Sequence, residues 1–276
     1  MTFKTIKSPL QCEQLITKGL TNDLFLVNQQ YFLKQSKNIK QPFLNTENQI
    51  RVVQLIQWQK FTLPIIEINI QDNKLLTLMP YYHDLITLVE QPIYDEILTT
   101  LSNLVKQLHK IKYDSNLNIM KWNGLEQLKS YCDLVICAVD LTKIKTSVTT
   151  WITNYQPEKI VLCHNDLSIN NFVKTNNQWY LIDWDFTCWN DPLFDIASFA
   201  SETLTNDSDI KIWFACFNLT DEQITIVKQW MTYQDLIWYY WACYLYKQTN
   251  ISIYQDISNS KLEKLMLYSD NLNIII

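Results

Sequence analysis

The chain has 276 residues, with 23 basic and 28 acidic side chains for a formal charge of −5, and 47% hydrophobic against 18% charged residues. That describes one or two globular domains and excludes a disordered chain. Only two glycines occur, Gly19 and Gly124, so neither a Walker phosphate loop nor a GxGxxG dinucleotide fingerprint can be written.

The charge is uneven, +4 over residues 1–80 and −9 over the remainder. An acidic bulk argues against nucleic acid as a partner and suits a small, positively charged one. Up to about residue 80 the pattern is of short β-type runs around one helix: QLITKG, LFLV and YFLKQ, then a helical NTENQIRVVQLIQWQ, then PIIEINI and KLLTLMP. Asn28-Gln29-Gln30 between the second and third runs predicts a tight hairpin without glycine. The expected unit is a small antiparallel sheet with one helix packed on it. From Tyr94 the period changes, and Ile97, Leu98, Leu101, Leu104, Val105, Leu108 and Ile111 mark an amphipathic helix. Helical patterns dominate thereafter, except between Ile160 and Asp185, where IVLC, NFVK and WYLID return to short runs, the last two separated by Thr175-Asn176-Asn177-Gln178. The expected boundary lies at Met79-Pro80-Tyr81, dividing the chain into 1–80 and 81–276.

Seven cysteines without CxxC spacing, and only three histidines, predict neither a disulfide framework nor a zinc site. The start has no apolar core of signal-peptide length. The late apolar run Leu236–Tyr246 is far short of the roughly 20 residues that span a bilayer. The expectation is a soluble, cytoplasmic protein without a membrane partner; nothing in the sequence bears on its oligomeric state.

The stretch VLCHNDLSINNFVKTNNQWYLIDWDF carries the chemistry. His164, Asp166 and Asn171 fit HxDxxxxN, and Asp183 follows at the end of an apolar run beyond the next turn. Phosphoryl transfer asks for one carboxylate to orient the attacking hydroxyl and oxygen ligands to fix Mg²⁺ on the phosphates. A loop followed by a hairpin can supply that set. His, Asp and Asn also build ordinary hydrogen-bonded turns, and the second aspartate at the hairpin's end is what sets this pattern apart.

From His164 to Glu202 the sequence resembles the choline/ethanolamine kinases, within the aminoglycoside phosphotransferase and protein-kinase-like group: HNDLSINNF, LIDWDF, NDPLFDIA and FASE occur in that order. The resemblance implies an α+β, two-lobed protein-kinase-like fold, with a sheet-based lobe for the phosphates of ATP and a larger, mainly helical lobe for the catalytic loop and acceptor. It implies that Asp166 is the catalytic base, that Asn171 and Asp183 hold Mg²⁺, and that His164 and Asp195 support the loop. It further implies a phosphate-covering loop at Gly19, Thr21 and Asn22, a phosphate-binding Lys34 with Glu47 as its ion-pair partner, and a hinge over Leu78–Tyr82 with Met79 and Tyr81 beside adenine.

An acceptor with a quaternary nitrogen has no proton to donate and needs aromatic faces and nearby carboxylates. Trp238 and Trp241 stand three residues apart on a late helical run. The resemblance places them, with Glu202, at the acceptor, where Asp185 and Tyr254 are further candidates although a late tyrosine of the family has no secure counterpart here. A helix this rich in Trp and Tyr equally serves a core. The implied acceptor is choline or a close amino alcohol such as ethanolamine, with thiamine and then aminoglycosides as alternatives. Asp185 in place of the family's glutamate and Ser168 in place of a glutamine loosen the choice. The non-enzyme alternative is a kinase-shaped binding protein.

Overall fold

The computed structural model describes residues 3–4, 6, 10–15, 21–37, 43–135 and 139–272, with side chains up to 268. In chain order the elements are β1 (Cys12–Gln14), β2 (Asn22–Val27), β3 (Tyr31–Ser36), α1 (Thr46–Ile56), β4 (Glu67–Gln71), β5 (Lys74–Pro80), β6 (Ile86–Thr87), α2 (Asp95–Leu108), α3 (Gly124–Cys132), α4 (Thr142–Asn154), β7 (Val161–Cys163), β8 (Phe172–Thr175), β9 (Gln178–Leu181), β10 (Cys188–Asn190), α5 (Pro192–Thr203), α6 (Asp207–Cys216), α7 (Asp221–Thr249) and α8 (Ser252–Leu272). They gather into two compact units, Met1–Met120 with Ile169–Cys188 and Lys121–Ser168 with Trp189–Ile276. The division therefore does not fall at residue 80. The β8–β9 hairpin returns to the first unit because Leu181 N–H donates to Phe61 O at 2.7 Å, Trp184 Nε1 donates to Thr62 Oγ1 at 3.0 Å, and β6 pairs with β8.

In the first unit, β1-β2-β3-β5-β4 form an antiparallel sheet. The predicted hairpin closes with Val27 opposite Tyr31 and with Asn28 and Gln29 in left-handed backbone. Alternation then sorts the sheet's two faces. Val27, Leu33, Leu76 and Leu78 point one way into a buried cluster with Phe3. Lys34, opposite Thr77, and Phe32, opposite Met79, point the other way. Helix α1 is capped by Asn45, whose side chain accepts from Asn48 N–H at 2.9 Å, and it buries Asn48, Gln49, Val52, Val53 and Ile56.

The second unit is mainly helical. Its long helix α7 opens with a Thr220–Gln223 capping box and buries Trp230, Tyr233, Leu236 and Ile237 among α3, α4, α5 and α8. Helix α5 starts at Asp191, whose carboxylate caps Leu193 N–H, and Pro192 occupies the first turn. Eleven described residues have left-handed backbone, and eight of them are asparagines: Asn28, Asn73, Asn118, Asn165, Asn176, Asn177, Asn218 and Asn250. Asparagine tolerates this region far better than bulkier residues. A chain almost without glycine makes its turns that way. No helix among the described residues is long and apolar enough to cross a membrane.

Candidate active site

In the first unit, Lys34 leaves β3 on the face shared with Thr77 and meets two carboxylates. Its Nζ lies 2.6 Å from Asp183 Oδ1 and 2.9 Å from Asp185 Oδ1. Asn22, which sits diagonally from Lys34 on β2, donates from Nδ2 to Asp185 Oδ2 at 3.0 Å and to Thr21 Oγ1 at 2.7 Å. Asp183 adopts left-handed backbone at φ 68°, and its side chain is 34% exposed against 12% for Asp185. Burial alone would lower the pKa of the Lys34 ammonium, but the charges of Asp183 and Asp185 outweigh it and hold it above its ordinary value. Burial, followed by the charge of Asp183, pushes the Asp185 carboxyl up. Around this triad Gln49, Val53, Thr62, Leu63, Ile68, Thr77, Met79 and Trp184 line a cavity of about 40 Å³.

Several expected roles change here. Glu47 is not the partner of Lys34: it lies on the outer side of the first turn of α1, 75% exposed, and pairs with Arg51 at 2.8 Å one helical turn away. The residue of α1 that reaches the cavity is Gln49, whose Nε2 donates to Asp185 O at 3.4 Å. Asp185, expected at the acceptor, is a partner of Lys34 in this structure. Thr21 and Asn22 lie beside Asp185, while Gly19 falls outside the described residues. Met79 lines the cavity. Tyr81 does not, and its N–H is committed to Gln30 O at 2.8 Å. Asn171 closes the 3₁₀ turn Ile169–Asn171, buried, and its carbonyl accepts from Ile182 N–H at 3.1 Å.

In the second unit, the loop after β7 carries Asp166, which is partly exposed between buried neighbours Asn165 and Leu167. Helix α5 braces it. The Asp195 carboxylate accepts from His164 N–H at 2.9 Å and from Asn165 N–H at 2.8 Å, and Ser198 Oγ donates to Leu167 O at 3.1 Å. Asn165, at φ 63°, receives Asn190 Nδ2 on its side-chain oxygen at 2.8 Å. The braces Asn165, Asn190 and Ser198 were not singled out from sequence. An Asn inside the motif, ready for left-handed backbone, was the one available signal.

The expected acceptor residues divide. Trp238 and Trp241, each 7% exposed, meet edge to face at 5.7 Å between ring centroids, and Trp241 meets the buried Tyr254 at 5.6 Å. Glu202 does not stand alone: Lys261 of α8 binds it and also lies 2.9 Å from Asp235 Oδ1. Asp235 is fully buried and accepts further from Ser201 Oγ at 2.8 Å and Tyr268 OH at 3.3 Å. Burial opposes the charge of Lys261, but Glu202 and Asp235 hold its pKa above the ordinary lysine value. Asp235 went unnoticed in the sequence although it shares the stripe of Trp238 and Trp241 at three-residue spacing.

A sequence profile of the phosphotransferase enzyme family matches residues 13–215. The chain belongs to that family. Among curated proteins it is 27% identical over 135 residues to the LicA homolog of Metamycoplasma hominis, a match covering 48% of this chain and 53% of that protein. The chain spans about half the length of that relative. Among solved structures it resembles choline kinase LicA from Streptococcus pneumoniae (TM-score 0.75, 18% identity, 94% of each chain). It also resembles the GDP and kanamycin complex of APH(2")-IIia (TM-score 0.71, 16% identity, 96% of this chain and 95% of that one). These likenesses carry the fold, which is kinase-like and α+β, as the sequence implied.

Proposed function

We propose that this chain transfers the γ-phosphoryl group of ATP to the hydroxyl of a small cationic alcohol, choline or a close amino alcohol. The observation that carries the reading is the Lys34–Asp183–Asp185 cluster in a family member whose sequence also keeps HxDxxxxN. Phosphoryl transfer requires positioning and charge neutralisation more than covalent chemistry. Asp166 orients the acceptor hydroxyl and takes its proton, held in place by the α5 braces on either side of it. Asn171 and Asp183 hold Mg²⁺, and Lys34 binds the ATP phosphates. The donors fit that ion, being carboxylate and amide oxygens, and a cation, the Lys34 ammonium, already rests on Asp183. When bound, the ion neutralises the phosphate charge during transfer. Such a reaction, with none of the six described cysteines in a disulfide, suits a reducing, cytoplasmic compartment.

The likeness to the streptococcal choline kinase and the Trp238–Trp241–Tyr254 cluster favour choline. The likeness to the kanamycin complex favours a second reading, an aminoglycoside acceptor, and the engagement of Glu202 by Lys261 takes from choline its expected carboxylate. An ATP-consumption assay over choline, ethanolamine, thiamine and kanamycin separates these. Choline turnover is expected, and turnover of kanamycin alone would move the assignment to the second reading. Asp166→Asn should lower kcat by about 10²–10⁴ with ATP affinity retained. Turnover at the wild-type rate would remove Asp166 from its role, and no turnover of any alcohol by the native chain would leave a kinase-shaped binding protein.

A further inference from the structure

The two carboxylates on Lys34 are not equivalent. Asp185 is 12% exposed, and its second oxygen receives Asn22 Nδ2 at 3.0 Å. Asp183 is 34% exposed, on the open side of the cluster. The helix glutamate that would hold the lysine in the implied arrangement is absent from this place, because Glu47 faces solvent with Arg51 and α1 presents the neutral Gln49 to the cavity.

The geometry points to a division of labour: Asp185 is the lasting anchor of Lys34, the positioning residue that replaces a helix carboxylate, whereas Asp183 is an exchangeable partner that Lys34 occupies until a divalent cation arrives with nucleotide. The inference rests on the nucleotide-binding reading above. Its physical content is a charge balance. Two carboxylates and one ammonium sum to −1, so Lys34 weakens the attraction of Asp183 for a free divalent ion, and removing its charge leaves −2. The metal then binds well only when phosphates draw Lys34 away from Asp183, and Asp185 keeps the lysine within reach of them.

The test uses Mn²⁺ as the probe, with the nucleotide-free full chain titrated and free Mn²⁺ read by electron paramagnetic resonance, and ATP binding measured separately without metal by calorimetry. Lys34→Met should bind Mn²⁺ at least tenfold more tightly than the native chain, while Lys34→Arg, which keeps the charge, should stay within twofold of it. Asp185→Asn should weaken metal-free ATP binding at least tenfold, and Glu47→Gln should leave both readouts unchanged. Equal Mn²⁺ affinity in Lys34→Met and the native chain would overturn the inference. So would a loss of ATP affinity in Glu47→Gln as large as in Asp185→Asn. Should Lys34→Met fail to fold, a tenfold tightening in Lys34→Arg would overturn it equally. Neither assay contains an acceptor alcohol, so the Mn²⁺ result stands or falls apart from choline turnover.

Discussion

Each unit of this molecule holds one lysine between two carboxylates, and the two clusters differ in how they are closed. Lys34 sits in a lined cavity with Asp183 a third exposed. Lys261 sits between Glu202 and a fully buried Asp235, which Ser201 and Tyr268 also reach, and Lys264 adds a bond to Ser201 O. The same three charges thus make an open arrangement that can exchange a partner and a sealed one that ties α8 to α5 and α7. Burial and the supply of further hydrogen-bond donors decide which of the two results, because a sealed ion pair must satisfy every remaining oxygen within the protein.

The largest effect should come from opening the sealed cluster. Lys261→Met leaves Asp235 buried with its charge partner gone, and urea unfolding should show a loss of about 3–5 kcal/mol. A loss below about 1 kcal/mol would mean that water already reaches Asp235. Lys34→Met should cost stability only about 1–2 kcal/mol, because Asp183 can hydrate, yet lower phosphoryl transfer at least a hundredfold. The pH dependence of that variant has a definite sign. Asp185 already binds its proton more readily in the folded chain than a free carboxyl does, and Lys34 opposes this. Without the lysine the folded state holds that proton to still higher pH, so stability falls as pH rises from about 4 towards neutrality. The deficit of Lys34→Met measured by thermal unfolding should therefore be smaller at pH 5 than at pH 7.5. The smallest effect belongs to the exposed Glu47–Arg51 pair, where Glu47→Gln should change stability by less than about 0.5 kcal/mol.

Much of this was legible in the sequence because it depends on local spacing. The apolar runs produced β2, β3, β4, β5, α1 and α2 near their predicted limits, and HxDxxxxN put Asp166 on a loop and Asn171 at the head of a hairpin. What stayed hidden depends on partners far along the chain. The buried face of α1 contains polar Asn48 and Gln49, invisible to a hydrophobic pattern. Asn48 is held by Thr187 O at 2.9 Å and Met120 N–H at 2.8 Å, and that rotation of the helix turns Glu47 outward. The Lys261–Asp235 pair spans 26 residues and two helices, so no local period could announce it. The return of Ile169–Cys188 to the first unit likewise depends on Phe61 and Thr62, more than a hundred residues earlier.

The asparagine-built turns have a consequence for how the chain could evolve or be engineered. Glycine at Asn176 or Asn250 would relieve a left-handed residue of roughly 1 kcal/mol of steric cost. It would also loosen the denatured chain by about 0.4–1 kcal/mol. The two changes nearly cancel, so a near absence of the most pliant amino acid carries almost no thermodynamic penalty, and these corners can drift between the two residues with little effect on folding equilibrium.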